Sequence, residues 1–249
     1  MKAIIIAAGS SKRLGSHAKE LPKGLLDING KTIIERQIHI LKNNGIQEII
    51  IITGPHKEKY KFDNVRYVED LEYEKHDVLL SLMVLKNEFK GEIITIYSDI
   101  LFDEKILQQI IESNADIGIA TDMNWEQKYE NRTEHTKSQA DNVIIENNKI
   151  IKIKKNISQI SEKQKNGEFI GIMKYSQKGS EIFVIEYNKI EKNKPCPFHD
   201  APMFEKAYLT DMIQELIDQN ITVEPIIVDG DWFEIDTIQD LENARMKYH

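Results

Sequence analysis

An apolar run at residues 3–8 breaks into Gly9-Ser10-Ser11, with Arg13 four positions after Gly9 and Lys23 ten further on. A buried strand that ends in Ala7-Ala8-Gly9 leaves backbone N–H groups unshielded by side chains, and such groups can cradle phosphate oxygens. Arg13 and Lys23 would add fixed positive charge to a polyphosphate. The chemistry suited to this segment is attack on the phosphates of a nucleoside triphosphate. It is not the dinucleotide fingerprint, because Gly9 and Gly15 have no glycine between them, and no Walker A sequence occurs.

Carboxylates form a second group. Asp99 follows the apolar run 93–98. Ligands of open α/β sheets sit beyond the carboxyl ends of strands, where a carboxylate can hold Mg2+ against an α-phosphate. The alternative role for Asp99 is a helix cap, for which Asp103 is better placed. Glu234 and Asp236 are two apart on an expected strand and so face the same way. Two such carboxylates are costly together unless a cation joins them, and with Asp99 they could complete one or two Mg2+ sites. The alternative is a solvated edge strand. A third group, Trp125, Tyr129, Arg132 and His135, mixes aromatic and basic side chains after the run 116–121. Arg132 and His135 could grip a phosphate or phosphonate. Trp125 and Tyr129 could bind an amine through their ring faces, or pack as neighbours one helical turn apart.

These groups must be positioned by the surrounding elements. Strands are expected at 3–8, 48–53, 65–68, 93–98 and 116–121, and helices at 32–44, 78–89 and 104–113. The alternation implies a doubly wound, mostly parallel sheet of the α/β class. The four consecutive isoleucines at 49–52 suit a sheet buried on both faces. A hairpin turning at Asn147-Asn148 joins strands at 143–146 and 149–153. A strand at 169–174, helices at 181–191 and 203–218, strands at 222–228 and 232–235, and a final helix opened by Thr237 and Asp240 follow. The polar stretches 154–167 and 191–200 read as mobile loops.

A chain of 249 residues with 41% hydrophobic content can bury a sizeable core. One domain is expected over 1–249: a nucleotide-binding half at 1–122, an acceptor-binding lobe at 123–222, and a strand and closing helix at 223–249. The net charge of −8 argues against nucleic acid as a partner. No apolar run approaches the roughly 18 residues that span a membrane. The first eight residues are too short for a signal peptide, and Cys196 is a single cysteine, so a reducing cytoplasm is the expected location.

The sequence Ala-Ala-Gly-Ser-Ser-Lys-Arg-Leu-Gly, with Pro22-Lys23 downstream, resembles the signature of nucleotidyltransferases that make activated sugars and alcohols. Gly230-Asp-Trp-Phe-Glu-Ile-Asp-Thr-Ile-Gln-Asp-Leu resembles an element of the choline-phosphate and small-alcohol cytidylyltransferases, in which the Glu and first Asp complete a metal site with the strand-end Asp. Glu168-Phe-Ile-Gly-Ile-Met-Lys174 and Lys206-Ala-Tyr-Leu-Thr-Asp211 resemble further elements of that branch. The resemblance implies a Rossmann-like nucleotidyltransferase fold with a small acceptor lobe, and a Mg2+-dependent enzyme that transfers a nucleotidyl group from CTP to a small phosphomonoester or phosphonate. It implies nucleotide contacts at Ala7, Ala8, Gly9, Ser10, Arg13, Lys23, Gly54, Asp77, Ser81 and Asp99, with Arg13 and Lys23 catalytic. It implies acceptor contacts at Trp125, Tyr129, Arg132, His135, Glu168, Lys174 and Asp211, and metal ligands at Asp99, Glu234 and Asp236. Asp77 stands where relatives often have asparagine, which leaves base and acceptor selection open. The rival readings are a sugar-1-phosphate nucleotidyltransferase using UTP or dTTP, and a non-catalytic nucleotide-binding regulatory module. A homodimer is compatible with either.

Overall fold

The computed structural model describes residues 1–9, 21–157 and 160–248. In chain order the elements are β1 (Lys2–Ala7), β2 (Asp27–Ile28), β3 (Lys31–Thr32), α1 (Ile33–Asn43), β4 (Glu48–Thr53), β5 (Arg66–Glu69), α2 (Val78–Met83), β6 (Ile93–Tyr97), β7 (Ile100–Phe102), α3 (Glu104–Glu112) and β8 (Ile117–Asp122). They continue with β9 (Asp141–Glu146), β10 (Lys149–Lys155), β11 (Lys165–Tyr175), α4 (Gln177–Asn193), α5 (Leu209–Asp218), β12 (Glu224–Val228), β13 (Trp232–Glu234) and α6 (Ile238–Lys247).

Among the described residues, nine strands form one mixed sheet in the order β10-β9-β11-β6-β1-β4-β5, with β8 also on β11 and β12 on β8. β1 lies parallel to β4 and β6, and β4 parallel to β5. β11 runs antiparallel to β6, β8 and β9, so those three share the direction of β1, and only β10 and β11 oppose it. The sheet is therefore mostly of one direction, and it passes through all three segments expected from the sequence.

The isoleucine runs explain why both faces are covered. Ile4, Ile6, Ile50 and Ile52 enter one core with Leu79, Leu82, Phe183 and Met212. Ile5, Ile49 and Ile51 enter another with Ile34, Ile38, Leu41, Ile106 and Ile110. Helix starts are set locally: Thr32 and Glu35 form a capping box on α1, Asp103 caps α3, and Thr237 with Asp240 forms the box of α6.

Several expected boundaries shift. The helix expected over 78–89 ends at Met83 and resumes as a 3-10 turn, Lys86–Glu88. The one expected over 203–218 is a 3-10 turn, Phe204–Lys206, followed by α5. The helix expected at 181–191 starts four residues earlier, where the Ser176 hydroxyl accepts from Gly179 N–H. The polar stretch 154–167 yields its ends to β10 and β11, since Lys165, Asn166 and Gly167 pair with β9. Of these only Lys165 is exposed; Asn166 is half-buried and Gly167 buried in the interior strand β11. The stretch 191–200 begins inside α4 and buries Phe198 in the core.

Candidate active site

β1, β4 and β6 end side by side, and a cleft of about 960 Å3 opens beyond their carboxyl ends. Ala7, Ala8 and Gly9 line it together with Lys23, Asp77, Ser81 and Asp99. The end of β1 is fixed from two sides. Tyr60 donates its hydroxyl to Ala7 O at 3.2 Å. Gly54 closes against Ala8, where a Cβ would lie 2.4 Å from the Ala8 carbonyl oxygen. Gly54 thus shapes the loop from behind without lining the cleft. Ser10 and Arg13 lie outside the described residues.

Asp77 stands at the N-terminal end of α2 in the cleft wall, without a side-chain hydrogen bond to the helix. The Ser81 hydroxyl donates to Asp70, which also meets His76 Nε2, both at 2.7 Å. Asp70 is fully buried and was not singled out by the sequence, where it reads as one acid in a polar run.

A short ribbon brings the acidic residues together. β13 pairs antiparallel with β7, setting Glu234 opposite Ile100, and Ile235 N–H donates to Asp99 O at 3.0 Å. Asp236 follows just beyond the strand. The Lys23 ammonium joins the group, 3.0 Å from the Asp99 carboxylate and paired also with Asp236. Burial alone would lower the Lys23 pKa, but Asp99 and Asp236 hold it above its ordinary value. Desolvation, together with like charge from Asp236 and Asp99, raises the Glu234 carboxyl well above the usual carboxylate range. Glu234 and Asp236, with His135 beside them, bring ligand atoms within 4.8 Å of one another, a spacing that a divalent cation could span, and Lys23 links Asp99 to this group. His135 stands against it, 3.6 Å from Glu234 and 3.8 Å from Asp236.

The expected acceptor residues divide. His135, Glu168 and Asp211 line the same cleft, but Trp125, Tyr129, Arg132 and Lys174 do not. Trp125 and Tyr129 form a buried 3-10 turn, their rings edge to face at 5.7 Å. The packing reading holds for them, and no ring face is offered to an amine. Arg132 is ion-paired to Asp240 at 2.9 Å and stacks over the Tyr129 ring, so it does not reach out for a phosphate. Lys174 is at the opposite end of the sheet, donating to the carbonyls of Ile111 (2.7 Å) and Ser113.

Glu168 is buried, with one carboxylate oxygen accepting from the Tyr129 hydroxyl and the other unpartnered. Burial raises its pKa to about 8. Asp141, in the same wall, is raised by burial to about 6. Asp211 accepts from the N–H groups of Asp200 (3.0 Å) and Tyr208 (2.8 Å), so its carboxylate is engaged in the turn that starts α5. Lys152, Lys154 and Lys155 of β10 form the rim.

Comparison with known proteins gives a consistent picture. The MobA-like NTP transferase domain matches residues 3–129. A CTP:phosphoglutamine cytidylyltransferase from Campylobacter jejuni is 27% identical over 253 residues, covering 97% of this chain and 98% of that protein. A choline-phosphate cytidylyltransferase from Streptococcus pneumoniae is 35% identical over 117 residues, 45% of this chain and 51% of that protein. Among solved structures, the CTP:phosphocholine cytidylyltransferase of S. pneumoniae superposes with a TM-score of 0.73 at 23% identity, covering 98% of this chain and 97% of the other. The inositol-1-phosphate CTP transferase of T. maritima gives 0.72 at 18% identity, covering 99% and 96%. At these identities the structural likeness is one of fold.

Proposed function

Because the chain belongs to the MobA-like NTP transferase family, we propose that it is a Mg2+-dependent cytidylyltransferase that transfers CMP from CTP to a small phosphorylated or phosphonate acceptor, releasing pyrophosphate. The observation that carries this reading is the meeting of Lys23, Asp99, Glu234 and Asp236 in the cleft that the Ala7–Gly9 backbone also lines. CTP is favoured because the full-length relative and the partial relative from S. pneumoniae are cytidylyltransferases by name.

An acceptor phosphate or phosphonate is already ionised at neutral pH, so the protein need not supply a nucleophile. One acceptor oxygen forms a bond to the α-phosphorus while the bond to the bridging oxygen of pyrophosphate breaks, and the electron pair leaves with pyrophosphate. The chain's task is positioning and charge neutralisation. The backbone at Ala7, Ala8 and Gly9 would meet the nucleotide, and Lys23 would neutralise the α-phosphate or the acceptor. Arg13, which lies outside the described residues, would hold the β- and γ-phosphates. Asp99, Glu234 and Asp236 would hold Mg2+, which when bound supplies positive charge to the phosphate oxygens. Glu168 and Asp141 form the wall that meets the rest of the acceptor.

The test is pyrophosphate release with Mg2+, offering CTP, UTP, dTTP, ATP and GTP separately. Each is paired with a pool of small phosphomonoesters and phosphonates, then with a pool of sugar-1-phosphates. Release with CTP and the first pool is the expected result. Release only with sugar-1-phosphates would move the acceptor assignment to the rival class. Asp99→Ala is expected to abolish turnover while retaining nucleotide binding. Tight nucleotide binding by the unaltered chain with no turnover in any pairing would favour a binding module instead.

A further inference from the structure

Arg132 spends its guanidinium within the protein. Its Nε donates to Asp240 Oδ1 at 2.9 Å, one Nη donates to His135 Nδ1 at 2.8 Å, and the same group lies 3.4 Å from Glu234 O. Both members of the Arg132–Asp240 pair are buried, with side chains 8% and 2% exposed. The second oxygen of Asp240 accepts from the backbone N–H groups of Asp236 (3.2 Å) and Thr237 (2.9 Å) and from the Thr237 hydroxyl (2.9 Å). Asp240 therefore does more than cap α6: it holds the main chain at the residue whose carboxylate meets Lys23.

A second path leads from Arg132 to the same carboxylates. A guanidinium is a donor only, so His135 Nδ1 must be an acceptor, and the ring proton is on Nε2. That nitrogen is the one facing the Glu234 carboxylate, at 3.6 Å. At that distance the ring makes an electrostatic contact with Glu234 and not a hydrogen bond. His135 therefore packs between the carboxylates, with Nδ1 also 3.8 Å from Asp236 and from Asp240.

We propose that Arg132, anchored by Asp240, is a positioning residue that sets the Glu234 and Asp236 carboxylates in the geometry that holds the divalent cation. The inference rests on the reading of those carboxylates as metal-holding groups. It assigns to the segment 125–135 a task in the metal site instead of the acceptor site. Groups that orient metal-holding side chains typically contribute about 10- to 100-fold in metal affinity.

The test is Mn2+ binding to the full chain, followed by electron paramagnetic resonance of the free ion, in unaltered protein, Arg132→Met, Arg132→Lys and Asp236→Asn. Mn2+ binding by the unaltered chain that Mg2+ displaces and Asp236→Asn weakens establishes the site; no binding at all would overturn the underlying reading and the inference with it. Arg132→Met is expected to weaken Mn2+ binding about tenfold or more. The Mg2+ needed for half-maximal turnover should rise in parallel, with acceptor KM unchanged at saturating Mg2+. Arg132→Lys keeps the charge opposite Asp240, and so the fold, but one ammonium cannot reproduce the forked contact to Asp240 and His135. Its melting temperature should stay near that of the unaltered chain while Mn2+ binding weakens severalfold. Unchanged Mn2+ binding in both variants, or a raised acceptor KM with Mn2+ binding intact, would overturn the proposal.

Discussion

The Lys23 ammonium bridges Asp99 and Asp236, joining the 3-10 turn Lys23–Leu25 to the end of β6 and to the segment that follows β13. It is mostly buried, and so is Asp236. The ammonium stands as a cation among these carboxylates, so on the proposed reading it balances their charge as well as that of a phosphate.

Lys23→Met should expose this double role. Removing one partner of a buried pair leaves the other charge uncompensated, a loss of about 3–5 kcal/mol. The metal-free variant is expected to melt on the order of 10 °C below the unaltered chain. Saturating Mg2+ should recover much of that difference, because it replaces the missing charge. Turnover should fall about 100-fold or more and stay low with Mg2+ present. A melting curve that is unchanged without Mg2+ would show that the bridge is not part of the resting site.

Glu168 gives a pH signature. Its carboxyl is raised from the ordinary 4.5 to about 8, chiefly by burial, with Asp141 adding to the effect against the Tyr129 hydrogen bond. The folded chain then binds this proton more tightly than the unfolded chain. The contribution to stability is fully present below about pH 4.5 and is lost as pH rises through about 8. Asp141, raised to about 6, acts in the same direction over the lower part of that range. The metal-free chain is expected to lose stability from pH 5 to pH 8, and Glu168→Gln to remove a few kcal/mol, roughly, of that slope. Thermal unfolding of both proteins at four pH values checks this; parallel slopes would refute the assignment to Glu168.

The placing of residues in the cleft was legible where they lie at strand ends. Asp99 follows a buried strand, and the open α/β pattern says which end of that strand faces a ligand. What brings Glu234 and Asp236 to Asp99 was not legible, because the β7–β13 ribbon is three residues on each side and joins distant parts of the chain. Arg132 shows the same limit. Its charge is plain in the sequence, but its partner Asp240 is 108 residues away, so a cation that looked free for a phosphate is spent on a carboxylate. The direction of β11 accounts for the division between Glu168 and Lys174. An antiparallel strand inserted among parallel ones starts at the carboxyl edge of its neighbours and ends at their amino edge. Glu168 therefore meets the cleft, and Lys174 cannot.

Lys174 supplies the sharpest test of that topology. Its ammonium meets the carbonyls of Ile111 and Ser113 at the end of α3, where unpaired carbonyl groups and the helix dipole favour a cation. Burial lowers its pKa, as it does for a lysine drawn partly out of water. Lys174→Met would leave those carbonyls without their donor, at a cost of about 1–3 kcal/mol. The melting temperature is then expected to fall by roughly 2–12 °C, given the 2–4 °C per kcal/mol usual for chains of this size. KM for CTP and for the acceptor should change less than about twofold, since nothing at the carboxyl edge moves. A phosphate ligand would behave in the opposite way: KM for one substrate would rise about tenfold or more, as expected for a lost charge-assisted contact, and the melting temperature would hardly change. That second pattern would place Lys174 in the cleft and would contradict the antiparallel insertion of β11.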